Sequence, residues 1–269
     1  MQISAMNLLH LLLLSAACLL SSEGVCHNTS TNVSIINGHE AIRNSRPYMA
    51  YIFIANLTDD LFCGGILIKT NWVLTAAHCW LPRSNAKVIL GAHSSDLHAQ
   101  ECERQTFYVS QRIFHPEYNS VTFNNDLQLI KLNGRARMGL GVQVLCLPWT
   151  YEDMRAGTVC ETAGWGLTEK DKNAEFLMEV KVSTITSREC RKRFPDAQIE
   201  GIENKICVSV GCGGEGPCLG DSGGPLICDG VFRGVLSVAN FPCGIRGNAA
   251  VYIRLSEEYI NWIHEMTTQ

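Results

Sequence analysis

The stretch Cys218-Leu219-Gly220-Asp221-Ser222-Gly223-Gly224-Pro225-Leu226 sets the hardest condition on any fold this chain can adopt. Glycines around an acid and a hydroxyl describe a tight turn, because a residue without Cβ takes the dihedrals such a turn needs and leaves backbone N–H groups free to face a ligand. Ser222 is the candidate nucleophile, yet a serine hydroxyl is weak at its own pKa. It needs a histidine within hydrogen-bond reach, and the histidine needs a third group to orient it. Thr75-Ala76-Ala77-His78-Cys79 offers the histidine, and Asn125-Asp126-Leu127-Gln128-Leu129-Ile130 places an acid at the mouth of an apolar run. Taken singly, each has a plainer reading: a structural histidine, a turn aspartate, an ordinary glycine loop. Taken together, they require a fold that draws distant segments to one point.

The chain order His78, Asp126, Ser222 resembles that of the chymotrypsin-like serine proteases. Subtilisins and α/β-hydrolases assemble the same chemistry in other orders. The resemblance covers Ile35 to the C-terminus. Several phrases, among them Ser45-Arg46-Pro47-Tyr48-Met49-Ala50, Ile89-Leu90-Gly91-Ala92-His93-Ser94 and Leu226-Ile227-Cys228-Asp229-Gly230, are nearer in wording to granzymes, their A and K branch, than to digestive trypsins. Family resemblance implies an all-β fold: two six-stranded antiparallel Greek-key barrels with the site in the cleft between them, followed by a C-terminal helix.

Punctuation along the chain agrees with that class. Short apolar runs bounded by Gly, Asn and Asp predict strands over 48–54, 56–60, 63–68, 72–74, 87–90, 107–109 and 127–132, then over 159–166, 178–182, 205–208, 225–228, 231–238 and 249–254. Two blocks of many short strands suggest two barrels. Ser256 followed by Glu257 and Glu258, with Tyr259, Ile260 and Ile263 behind, reads as a capped helix packed on the second barrel. The expected layout is a signal peptide over 1–24, a propiece over 25–34 and a peptidase domain over 35–269, divided into barrels at 35–145 and 146–255 and a helix at 256–269.

The signal is read from the leucine-rich 7–20 segment, too short to span a bilayer before Ser21-Ser22-Glu23 interrupts it, although no Lys or Arg precedes it. No later run is long enough for a membrane helix. The expected destination is therefore secretion or storage in secretory granules. Thirteen cysteines fit an oxidising compartment. Asn28, Asn32 and Asn56 head N-glycosylation sequons. A net charge of −4 gives no reason to expect a nucleic-acid partner.

The resemblance also implies pairings and roles. Cys63 should pair with Cys79, Cys160 with Cys228, Cys190 with Cys207, Cys218 with Cys243, and Cys26 of the propiece with Cys146. Cys102 and Cys212 have no family partner, and three outcomes stay open: a bond to each other, a bond to another chain, or free thiols. Oligomeric state is left open with them. Activation would free the amino group of Ile35, which would pair with Asp221; the residue before the cut is Ser34, where trypsin-like activators want Lys or Arg. The N–H groups of Gly220 and Ser222 would form the oxyanion hole. No cofactor and no metal are expected: the cysteines lack zinc spacing, and Ala92-His93 stands where calcium-binding relatives carry Glu. Polypeptide substrates are the implied partners, with protein protease inhibitors as further candidates.

Specificity is where the chain departs from trypsins and from granzymes A and K. Their pocket-base Asp, two residues before the cysteine of the serine loop, is Gly216 here. Pro217, Leu219, Leu236, Ser237, Val238, Ala239 and Ala250 complete the expected pocket, and Ala239 and Ala250 replace glycines that leave room for long side chains. A shallow apolar pocket, and cleavage after small or medium apolar residues, is the expectation. The alternative is trypsin-like cleavage after Lys or Arg through the adjacent Glu215, and a further one is a zymogen-like or non-catalytic binding protein on the same fold. The basic run Arg188, Arg191, Lys192 and Arg193 is read as a solvated loop, with an acidic partner or glycosaminoglycan as its functional alternative. His10, His27, His39, His93, His98, His115 and His264 lack the context of His78 and are read as surface or core.

Overall fold

The computed structural model describes residues 38–55, 60–80, 85–151, 154–168, 172–194, 201–211 and 214–268. Strands β1 (His39–Glu40), β2 (Met49–Ala55), β3 (Leu61–Lys69), β4 (Trp72–Thr75), β5 (Asn85–Leu90), β6 (Gln105–Phe114) and β7 (Gln128–Leu132) occupy the first half. The second half holds β8 (Val159–Gly164), β9 (Met178–Ile185), β10 (Lys205–Ser209), β11 (Pro225–Cys228), β12 (Val231–Ala239) and β13 (Ala249–Arg254). Among the described residues, the α-helices α1 (Ser187–Arg193) and α2 (Glu257–Thr267) and a 3-10 turn at Ile202–Asn204 accompany them.

Antiparallel pairing in the order β2-β3-β4-β7-β6-β5 closes the first barrel. The second runs β8-β9-β10-β13-β12-β11 and closes where β11 pairs back with β8. Closure leaves no ladder edge unpaired, which suits sheets of short strands. β1 comes from the amino-terminal half but pairs with β9 of the second barrel, His39 opposite Glu179 and Glu40 opposite Met178. No sequence pattern announces that crossing pair, since two residues carry no periodicity to read.

Each barrel has its own apolar interior. Ile52, Leu67, Val88 and Ile130 fill the first, and Val180, Val208, Leu226, Leu236 and Tyr252 the second. A further cluster joins them: Ile66, Leu74 and Leu129 of the first barrel meet Phe232, Val235 and Ile253 of the second, together with Tyr259, Ile260, Trp262 and Ile263 of α2. The helix stripe thus covers the joint between the barrels, more than the second-barrel packing expected of it. Ser256 caps this helix, its hydroxyl accepting from the Tyr259 N–H.

Two sequence readings need correction. The 107–109 strand is the middle of a much longer one, β6, because the polar residues alternating with Phe107 and Val109 are its solvent face. Ser110 sits at a register shift in that strand and ties its hydroxyl to the Lys131 and Leu132 carbonyls. The basic run is α1 rather than a loop. Thr186 and Glu189 form a reciprocal capping box, and Cys190 anchors the helix inward through its disulfide to Cys207.

The pairs Cys63–Cys79, Cys160–Cys228, Cys190–Cys207 and Cys218–Cys243 are all formed. Each such closure is typically worth about 2–4 kcal/mol. Cys146 is disulfide-bonded, while Cys26, the partner expected for it, lies outside the described residues. Cys102 is a free, exposed thiol, and Cys212 lies outside the described residues. So do Asn28, Asn32 and Asn56. The loop after Gly91 is organised by Glu101, which accepts from the Arg43 and Arg104 guanidinium groups and from the N–H groups of His93 and Ser94. Among the described residues no helix is long and apolar enough to cross a membrane.

Candidate active site

Asp126 stands at the head of β7, and the loop before it is held in place by its neighbours. Asn125 takes a positive φ of 53°, accepts the Tyr259 hydroxyl at 2.7 Å and donates to the Glu117 carbonyl at 2.9 Å. Gln128 donates to the Ala76 carbonyl at 2.7 Å, tying β7 to the segment that carries His78. Asp126 is fully buried. Its Oδ1 accepts the His78 backbone N–H at 2.9 Å and its Oδ2 accepts His78 Nδ1 at 2.7 Å. A carboxylate can only accept, so Nδ1 carries the proton and Nε2 keeps its lone pair. Ser237 Oγ donates to the same Oδ2 at 2.5 Å. The Phe123 ring meets the imidazole edge-on, with centroids 5.6 Å apart.

The serine loop is fastened on both sides. Toward the second barrel, Gly223 N–H donates to the Leu236 carbonyl and Leu236 N–H to the Gly224 carbonyl, each at 2.8 Å. Toward the first, the Ser222 carbonyl accepts the Gly64 N–H at 2.8 Å, and the Gly64 carbonyl accepts Thr75 Oγ1 at 2.7 Å. Gly223 has φ of 83°, and a Cβ there would run into Thr75 Oγ1 and the Gly64 carbonyl. Cys79 Sγ, one residue beyond His78, lies 3.6 Å from the Ser222 carbonyl oxygen. The three segments singled out in the sequence therefore meet at the joint between the barrels. The Ser222 hydroxyl makes no hydrogen bond among the described residues, and neither do the N–H groups of Gly220 and Ser222. Gly220 has φ of 94° with its α-carbon against the Phe62 ring, a place closed to any side chain.

Asp221 points the other way, into the second barrel. Its carboxylate accepts Gly166 N–H at 2.7 Å and Cys218 N–H at 2.9 Å. A Cβ at Gly164 or Gly166 would collide with it. Burial pushes its pKa up to about 6, against the two backbone N–H bonds that favour the charge. Ile35, the cation expected for it, lies outside the described residues.

Pocket candidates gather along β12 and β13. Ala239 is directly opposite Ala250, and Leu236 opposite Tyr252. Ala250, Leu236, Gly216 and Pro217 are buried, while Leu219 is exposed at the rim. A register shift between Leu236 and Val238 lets Ser237 reach Asp126. No local pattern marks that contact, since a bulge leaves no periodic signature at Ser237. Gly216 rests against Val210, whose Cγ2 a Cβ would meet at 3.1 Å. Glu215 turns its carboxylate toward Gly211, within the turn closed by the Gly211 N–H to Glu215 carbonyl bond of 2.8 Å. Of the remaining histidines, His93 is buried with Nε2 2.8 Å from Glu40 Oε1, and His115 is buried against Tyr259 and Trp262.

The trypsin family model matches residues 35–263. This chain belongs to the trypsin family. Bovine granzyme A is 41% identical over 255 residues, covering 92% of this chain and 93% of that protein. Granzyme M of Rattus norvegicus is 41% identical over 214 residues, covering 78% and 80% respectively. Among solved structures, neuropsin, a serine protease expressed in the limbic system of mouse brain, superposes with a TM-score of 0.74 at 31% identity, covering 87% of this chain and all of that one. As a trypsin-family protein, the chain is a serine endopeptidase, a hydrolase acting on polypeptides. Among the described residues of this protease, no cluster of three or more His, Cys, Asp or Glu side chains is arranged to hold a metal ion.

Proposed function

We propose that this protease is a secreted endopeptidase using Ser222, His78 and Asp126 as nucleophile, base and orienting acid, and cleaving after small or medium apolar residues. The observation that carries the reading is the double grip of Asp126 on His78, through the backbone N–H and through Nδ1. That grip leaves Nε2 as the sole proton acceptor of the imidazole. His78 takes the Ser222 proton as the hydroxyl oxygen attacks the peptide carbonyl, and Asp126 stabilises the imidazolium that results. The unspent N–H groups of Gly220 and Ser222 receive the developing oxyanion, a donor pair of the kind worth about a hundred- to a thousandfold in rate per member. His78 then gives its proton to the leaving amine, and water resolves the acyl-enzyme by the reverse route.

In this scheme a signal peptide at 1–24 is removed, activation cuts the chain before Ile35 while the propiece at 25–34 stays tethered through a Cys26–Cys146 disulfide, and the freed Ile35 ammonium neutralises Asp221. A carboxyl buried with backbone donors alone is the group such a cation would stabilise most. Storage in secretory granules or release from the cell is the matching destination. Apolar specificity is supported by the buried Ala250 facing Ala239 and by Gly216 at the pocket base. Glu215, directed toward Gly211, offers no counter-charge there, so a Lys or Arg would lose hydration without compensation.

The test is to sequence the amino terminus of the secreted protein and to compare peptide hydrolysis by the chain and its Ser222→Ala variant. An Ile35 start and a loss of several orders of magnitude in turnover are expected. Full proteolysis by the variant would remove the assignment.

A further inference from the structure

The outer wall of the first barrel carries a groove of about 800 Å³, apart from the residues assigned to catalysis. Strand register lays down its floor. Phe53 on β2 lies opposite Lys87 on β5, and Lys87 lies opposite Tyr108 on β6. Their chain neighbours Ile52, Val88 and Phe107 pack into the barrel core, so alternation turns the Phe53, Lys87 and Tyr108 side chains outward. Tyr108 is 59% exposed. Phe53 is half-buried, one side packed on the cluster around Tyr51 and Trp165, and an outer-face row that carries two aromatic rings is unusual on an antiparallel barrel, where this face is ordinarily polar.

The wall is built around a cation. The Arg112 guanidinium lies 3.3 Å from the centre of the Trp80 ring and 5.6 Å from that of Phe114. Stacking covers the flat face and leaves the N–H edge of the guanidinium to be met by an acceptor. Arg43, Arg46 and Arg104 each pair with a glutamate, whereas neither Arg112 nor Lys87 pairs with any carboxylate among the described residues. Burial pulls the Arg112 pKa below its ordinary value, as befits a cation partly stripped of water with no anion supplied in return.

We propose that this groove is an exosite that docks an acidic, aromatic-containing segment of a polypeptide substrate, a carboxylate bridging the edge of Arg112 and Lys87 while a ring lies on Phe53 and Tyr108. Its role in selecting substrates rests on the protease reading above; the binding itself needs neither Ser222 nor His78. Trp80 follows His78 and Cys79 directly, so the segment that carries the proposed base also supplies a wall of the groove. The observations favour a peptide over a sulfated glycan. A glycan is held by a dense row of cations, and among the described residues here two cations are set among aromatic surfaces that a peptide's side chains can cover.

The experiment uses the full chain carrying Ser222→Ala, so that the probe is not cut. Fluorescence anisotropy follows a labelled decapeptide of alternating Glu and Phe, its Gln and Phe counterpart, and a heparin octasaccharide as competitor. Saturable binding of the Glu peptide is expected, with the Gln peptide at least tenfold weaker and Arg112→Gln lowering Glu-peptide affinity at least tenfold. Tyr108→Ala, away from the stacked guanidinium, should weaken both peptides and covers the case in which Arg112→Gln folds poorly. Equal affinity for the two peptides, or Glu-peptide binding indifferent to both substitutions, overturns the proposal. So does Arg112-dependent binding of the octasaccharide with no peptide binding. Cleavage of a tripeptide substrate by the parent chain tests the protease reading separately, and its failure would leave the anisotropy result standing.

Discussion

Acid should stabilise the uncut precursor and not the processed enzyme, and one carboxyl accounts for the difference. Asp221 is buried, is held by two backbone N–H groups, and has its pKa pushed by burial from 3.8 up to about 6. A carboxyl whose folded pKa exceeds its unfolded value binds its proton more tightly in the native state. Its contribution to stability is then fully present below the unfolded value and is lost as pH rises through about 6. At about 1.4 kcal/mol per tenfold change in proton affinity, the rise is worth about 3 kcal/mol. In the chain that begins at Ile35, the ammonium reverses the sign. Pairing with a cation favours the ionised carboxylate, so the pair stabilises the fold once Asp221 is charged, above about pH 4, and acid no longer adds stability. Urea unfolding followed by tryptophan fluorescence, from about pH 4 to about pH 7, measures both chains. The precursor should lose about 3 kcal/mol relative to the processed chain across that interval. Parallel pH profiles for the two would refute the idea that Asp221 waits for the Ile35 cation.

Three further outcomes are expected. Ser237→Ala removes the 2.5 Å bond to Asp126; at about 1.5–3 kcal/mol for a bond to a charged group the thermal midpoint should fall by several degrees, and kcat/KM should fall about tenfold to a hundredfold as Asp126 loses its hold on the His78 orientation. A positional peptide library should show Ala, Val, Ile or Leu before the scissile bond. Dominant Lys or Arg would mean that Glu215 reaches the pocket, and dominant Phe or Tyr that Ala239 and Ala250 do not narrow it. Thr186→Ala breaks the capping box of α1 and should cost about 1 kcal/mol in chemical denaturation; no change would mean that the Cys190–Cys207 link alone holds the helix.

What the sequence made legible was chemistry written in local context. Ser222 among glycines, His78 beside Cys79 and Asp126 at the head of an apolar run each carry a signature a few residues long, and the structure gathers these segments at one joint. Eleven-residue α2 was readable from its cap and its stripe. Features that depend on register were not. The full length of β6 hides behind polar residues whose partners lie on β5 and β7, and the two-residue β1 makes sense only against Glu179 and Met178 of β9. Ser237 was visible as a pocket wall, but its hold on Asp126 arises from a shift between neighbouring strands. The stacking of Arg112 on Trp80 is hidden for the same reason: the chain between them gives no hint that they touch. α1 is the exception, since the capping pattern Thr186-x-x-Glu189 is written in local sequence at its start.

The bond from Gly64 to Ser222 joins the barrels through main-chain atoms alone, and at Gly64 neighbouring backbone leaves little room for a side chain. A seam made this way has nothing for most substitutions to alter. Variation accumulating at Ala239, at Leu219 or around Arg112 can change what is recognised while the spacing between base and nucleophile stays as it was. Descendants of such a chain can acquire new diets without having to reinvent the bite.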